Sequence, residues 1–183
     1  MLDDEQAAII LQPYFDAVRD EFVCFSPEPG LKLDRLRKTR LLVDPTVHNS
    51  RRHYAACRDD GLQILCDPLI VVDIVVEQMV PILAHEFGHA ADMAYPGQWI
   101  VLRPGTAHPK AIWIGEREDK AAVQWRERRW HERNRDEVEW AADAIAELVT
   151  GRTIHYCGEC VLQCFGKIKG IPIVHAHRPR GLR

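Results

Sequence analysis

No stretch of this 183-residue chain approaches the roughly 20 consecutive apolar residues that a membrane-spanning helix needs. Nor is there an excess of charge of one sign. The net charge is -3, which gives no strong pull toward nucleic acid or an anionic membrane. The start, Met-Leu-Asp-Asp-Glu-Gln, lacks the basic residues of a signal peptide, so a cytoplasmic protein is the expectation. Repeats and low-complexity linkers are missing, and 183 residues suffice for a single domain with its own core. Cys24, Cys57, Cys66, Cys157, Cys160 and Cys164 come without a secretory leader, which argues against a disulfide framework. The isolated Cys24, Cys57 and Cys66 read as small buried apolar residues.

What the chain does have is His85-Glu86-Phe-Gly-His89. Two histidines four apart on a helix project from one face, close enough to share one tetrahedral zinc ion. Glu86 lies one position round the helix, where it can take a proton from a zinc-bound water without being a ligand. The run from Glu77 to Ala84 is apolar and starts a buried helix, with Pro81 tolerated in the first turn. Ala90, Ala91 and Met93 continue it, and Tyr95-Pro96-Gly97 ends it.

Upstream, residues 3–22 carry a helical stripe that Pro13 is expected to kink or split. Ser26 to Gly30 reads as a turn. Strands are expected at 40–43, 53–57 and 62–66, with a hairpin-type turn at Asp59-Asp60-Gly61. The run Leu69 to Val76 fits either strand or helix. Residues 97–115, interrupted by glycine and proline, read as a loop or irregular crossover. In 116–139 cations and carboxylates are nearly balanced, as on a solvated helix face. Asn134 with Glu137 forms a capping box for a further helix ending at Gly151.

Two histidines need a third protein ligand, and a catalytic site keeps a fourth position open. Glu139 and Asp143 share one face of the helix at 137–149, whose alanines permit a close approach to the first helix. Glu139 is assigned as ligand. Asp143 is assigned to the outer nitrogen of a ligand histidine, fixing its tautomer. Asp92 is a rival from the motif helix itself, better suited to supporting a ligand than to being one; Glu137 lies round the helix from Glu139. An oxyanion donor is sought among Tyr156, His155, Tyr95 and His131, with Tyr156 favoured for its place soon after the ligand helix. Cys157, Cys160 and Cys164 leave three readings open: a second zinc site completed by His175 and His177, a disulfide, or free thiols. The basic tail from His177 reads as a flexible end or a partner contact, the former favoured.

His85-Glu86-Phe-Gly-His89 followed by Glu139-Trp-Ala-Ala-Asp143 resembles the gluzincin-type zincin metallopeptidases, and the alanine-rich acidic run 142–148 resembles the small ImmA/IrrE-like peptidases. The resemblance implies a single α+β domain: residues 1–76 as N-terminal helix and sheet, 77–95 as active-site helix, 116–150 as charged helix and third-ligand helix, and 151–183 as C-terminal segment. It implies a small mixed or antiparallel sheet packed on the motif helix, Zn2+ as cofactor, and hydrolysis of protein or peptide substrates. Substrate backbone is expected to add to an exposed strand edge, nominated at 62–66. Two other functions remain in play: a regulatory, partner-binding protein that keeps a zinc-stabilised peptidase fold without turnover, and a DNA-associated peptidase, which the net charge disfavours.

Overall fold

The computed structural model describes residues 3–28, 31–47, 54–58, 61–74, 76–102, 110–115, 130–152 and 154. Helix α1, Asp4–Cys24, begins at a capping box in which Asp3 accepts from the Gln6 amide at 2.8 Å. Its buried stripe is Ala7, Leu11, Phe15, Val18 and Phe22, the spacing of one helical face. Pro13 does not split it. That residue is exposed, so the carbonyl it leaves without a helical donor can turn to water. Cys24 closes the helix off the buried stripe and is exposed, contrary to the expectation of burial; Cys57 is half-buried and Cys66 buried.

A 3-10 turn, Asp34–Lys38, leads into β1, Arg40–Val43. Strand β2 is Ala55–Arg58 and β3 is Gln63–Cys66, within two residues of the expected bounds. The sheet order is β1-β3-β2, with β1 parallel and β2 antiparallel to β3. This corrects the nomination of 62–66 as a substrate-binding edge. β3 is the central strand, its backbone groups used on both sides, and β2 is an edge. The cause is the β1–β3 parallel pair, which pushes the sequence-adjacent β2 outward.

The run after Asp67 is helical. Leu69 donates to the Asp67 carboxylate at 2.7 Å, a single turn α2 follows at Ile70–Asp73, and α3 runs Val76–Ala94. Pro81 lies inside α3 rather than in its first turn. Residues 97–115 are not all loop: β4, Trp99–Leu102, pairs antiparallel with β5, Lys110–Trp113. Their inward positions hold Trp99 and Trp113, with ring centroids 4.7 Å apart. The glycines and prolines that suggested a loop lie between and around these short strands. Helix α4, Arg135–Thr150, starts at the expected Asn134–Glu137 capping box and stops at Gly151, whose φ of 65° is the left-handed conformation glycine accommodates.

The architecture is α+β, with the small sheet and α1 packed around α3. Phe15 and Phe22 of α1 meet Phe87 of α3 at centroid distances of 5.1 and 5.4 Å. Phe87 thus anchors one side of the motif helix in the core while the opposite side meets α4. No helix of the described residues is long and apolar enough to cross a membrane.

Candidate metal centre

Along α3, the residues at spacings of three and four, His85, Gly88, His89 and Asp92, form one stripe. Along α4, Glu139, Ala142 and Asp143 form the facing one. The two helices come together because Gly88 has no side chain. A Cβ there would stand 2.8 Å from the Ala142 carbonyl carbon and 2.9 Å from its Cα, with the carbonyl oxygen nearer still. Backbone packs on backbone at this point. Gly88 was not singled out from the sequence, where it is one of the two interchangeable positions of the motif; the alanines of α4 were the only sign of a close approach.

This proximity brings His85, His89 and Glu139 into one cluster of metal-binding donors, all within 4.8 Å of one another. The Nε2 atoms of the two histidines are 3.1 Å apart, and Glu139 Oε2 is 3.1 Å from His85 Nε2 and 3.5 Å from His89 Nε2. Ligand atoms about 2.0–2.1 Å from a tetrahedral zinc are about 3.3 Å from each other. The observed triangle therefore has the edge lengths of three tetrahedral corners. His85 Nδ1 is 2.7 Å from Asp143 Oδ1, as assigned from the sequence. With Nδ1 turned to Asp143, Nε2 is the nitrogen of His85 that faces His89 and Glu139. Two ring nitrogens and a carboxylate brought this close could hold a metal ion.

The site is buried on one side and partly open on the other: His85 is 2% and Asp143 4% exposed, whereas His89 and Glu139 are half-buried. Burial opposes a charged His85, yet Asp143, Glu139 and Glu86 outweigh it and push the metal-free imidazole up to about 10. Burial likewise opposes ionised Glu139, but hydrogen bonds to His85 and His89 hold its carboxyl well below the usual range. The metal-free centre thus carries a proton that a divalent cation must displace.

Glu86 lies beside the cluster and is 5% exposed. Burial raises it above the ordinary glutamate value; the two histidines pull it back. The Cys57 backbone amide of β2 hydrogen-bonds its carboxylate, a partner no sequence pattern signals. That contact fixes how the sheet meets the site. Tyr54 accepts from Asp67 across the β2–β3 pair at 2.8 Å, so alternation turns the backbone groups of Ala55 and Cys57 away from β3. Among the described residues this outer edge of β2 pairs with no further strand, and it faces Glu86.

The remaining sequence candidates fall elsewhere. Asp92 is buried, but its carboxylate meets Arg133. Glu137 closes the cap on Asn134. Tyr95 ends α3 with its hydroxyl accepting from the Arg35 amide at 3.2 Å and its ring against Trp113, so it is turned away from an oxyanion role. His131 is exposed and stacks edge-on against Trp130 at 4.8 Å. Tyr156, His155, Cys157, Cys160, Cys164, His175 and His177 lie outside the described residues.

No protein-family model, no curated protein and no solved structure matches the chain.

Proposed function

We propose that this protein is a zinc-dependent peptidase of the zincin kind, with His85, His89 and Glu139 as ligands and Glu86 as general base. The observation that carries the reading is the three-donor triangle of tetrahedral dimensions with a buried carboxylate immediately beside it. A structural zinc site is normally closed by four protein ligands. Here three donors converge among the described residues, and the next polar side chain on α3, Glu86, has the chemistry of a proton acceptor.

A zinc ion bound there supplies a Lewis acid that lowers the pKa of water toward neutrality and polarises a scissile carbonyl. Glu86 takes the proton from the attacking water and passes it to the departing amine. Its elevated pKa suits both halves of that task, and the Cys57 amide keeps the carboxylate oriented. Asp143 holds His85 in the tautomer that presents Nε2. Burial of the cluster keeps bulk water from screening these charges. Substrate backbone adds along the outer edge of β2, Ala55–Arg58, beside the Cys57 amide that Glu86 occupies, and main-chain hydrogen bonds there place the peptide next to Glu86.

Elemental analysis of the purified protein, with casein or a quenched peptide library as substrate, tests the reading. Wild type and Glu86→Gln should both carry zinc, and only wild type should cut. Loss of zinc is expected in His85→Ala and Glu139→Ala. Zinc retained in both of those variants would show that the centre is misassigned. A zinc-loaded wild type that cuts no peptide would favour the partner-binding alternative.

A further inference from the structure

Asp92 is a carboxylate only 2% exposed, on the same stripe of α3 as His85 and His89. Its partner, Arg133, stands one residue ahead of the Asn134 cap of α4. The guanidinium is held from other sides as well. Arg133 Nε donates to the Trp130 carbonyl at 3.3 Å, and the group lies 5.1 Å above the Trp130 ring. A planar fork fixed in this way is oriented before it meets the carboxylate.

The order of contacts along the two helices gives this pair its meaning. They run antiparallel: His85 faces Asp143, Gly88 faces Ala142, and Asp92 faces Arg133. The first two contacts lie on the C-terminal side of Glu139. The N-terminal part of α4, which carries Glu139, lies beyond them, and this helix packs on β5 as well. A ligand oxygen must be placed within about 0.2 Å to make a zinc bond. The Asp92–Arg133 pair adds a polar anchor just ahead of that part, so Glu139 lies between it and the His85–Asp143 contact.

We infer that Asp92 and Arg133 are positioning residues for the metal centre, their ion pair holding the start of α4 so that Glu139 reaches His85 and His89. This rests on the reading of His85, His89 and Glu139 as a zinc site, and it is independent of whether the zinc protein cuts peptides.

The test measures zinc affinity by chelator competition and the visible absorption of the cobalt-substituted protein, alongside metal-free thermal melting. Asp92→Asn keeps the shape and removes the charge. Asp92→Leu with Arg133→Met removes both charges, so no unpaired buried charge compromises folding. Val18→Ala, in the buried stripe of α1 and on neither helix that carries the donors, is the control for lost stability. The Asp92→Asn and double variants should bind zinc about 10- to 100-fold more weakly, with altered cobalt bands, while Val18→Ala melts lower at unchanged zinc affinity. Wild-type affinity and cobalt bands in the double variant would overturn the inference, as would an equal loss of affinity in Val18→Ala. His85→Ala separates the two claims: if it binds zinc as wild type does, the centre itself is misread, whereas if it alone loses zinc, only the positioning role fails.

Discussion

Replacing Gly88 with alanine opposes two effects of known sign. In a helix interior the change stabilises by about 1 kcal/mol, because glycine loses more backbone entropy on folding. At this position the new methyl meets the backbone of Ala142, with carbon atoms at 2.8 and 2.9 Å where ordinary contact begins at 3.4 Å. The obstacle is backbone inside a helix, which cannot rotate aside as a side chain can. The helices must part by about 1 Å, since contact falls away over that distance. Overpacking of this kind costs about 1–3 kcal/mol, and a backbone clash belongs at the upper end. The net is a loss of about 2 kcal/mol, or about 4–8 °C in melting temperature for a chain of this size. The effect on zinc is larger in proportion. Ala142 is next to Asp143 and three residues from Glu139, so the same displacement lengthens the 2.7 Å His85–Asp143 bond and carries Glu139 out of reach. Zinc affinity should fall about 100-fold, the upper end of what disturbing the partners of metal ligands produces. Circular dichroism melting of the metal-free protein and chelator competition read the two numbers. A Gly88→Ala protein that melts higher than wild type and keeps its zinc affinity would refute the close helix contact and the geometry built on it.

Further outcomes follow from individual groups. Glu86→Gln should retain stoichiometric zinc and lose turnover by about 10²–10⁴-fold; undiminished cleavage would exclude Glu86 as the base. Asp143→Asn should weaken zinc about 10- to 100-fold without abolishing binding, measured by chelator competition, and unchanged affinity would remove Asp143 from the support of His85. Because metal-free His85 is pushed up to about 10, zinc must displace its proton, so apparent affinity should rise with pH across the neutral range with proton release visible by calorimetry in buffers of different ionisation heat; a pH-independent affinity would contradict the protonated ring. Burial, then the charge of Asp143, raises Glu147 to about 7 against the opposing Ile154 amide bond. Its folded-state value lies above the unfolded one, so the stability it contributes is complete below the ordinary carboxylate range and is lost as pH rises to about 7. Glu147→Gln keeps an acceptor for Ile154 and should gain melting temperature over wild type from about pH 5 to about pH 8, whereas a constant difference would show that Glu147 does not titrate there.

What the sequence discloses and what it hides divide along the range of the interactions. His85, Glu86 and His89 are legible because their relation is set by one helical turn. Glu139 and Asp143 are legible for the same reason, with the alanines around them signalling a surface that another helix can approach. The capping box at Asn134 and the Gly151 stop are likewise local. Strand order is not: nothing in residues 40–66 states that β1 pairs in parallel with β3 and leaves β2 outside. The strand thought to be open to substrate is therefore the one enclosed on both sides. The pair β4–β5 was obscured by glycine and proline near strands only four residues long, which tertiary packing of Trp99 and Trp113 makes worthwhile.

Asp92 shows how the fold completes what spacing alone leaves open. From its spacing, three beyond His89, the carboxylate belongs near the ligand histidines, and it does share their stripe. Its partner, however, is 41 residues away in sequence, across a segment whose balanced charges look like an ordinary solvated face. An aspartate buried to 2% exposure beside a metal centre must be matched by a cation, by hydrogen-bond donors or by the metal itself. Arg133 supplies that match, so among the described residues the donors that could hold a metal are His85, His89 and Glu139, without Asp92. With a zinc ion on those three donors, as proposed above, the Glu86 carboxylate beside them would be placed to act on water, and the ion pair that occupies Asp92 would help to keep that arrangement.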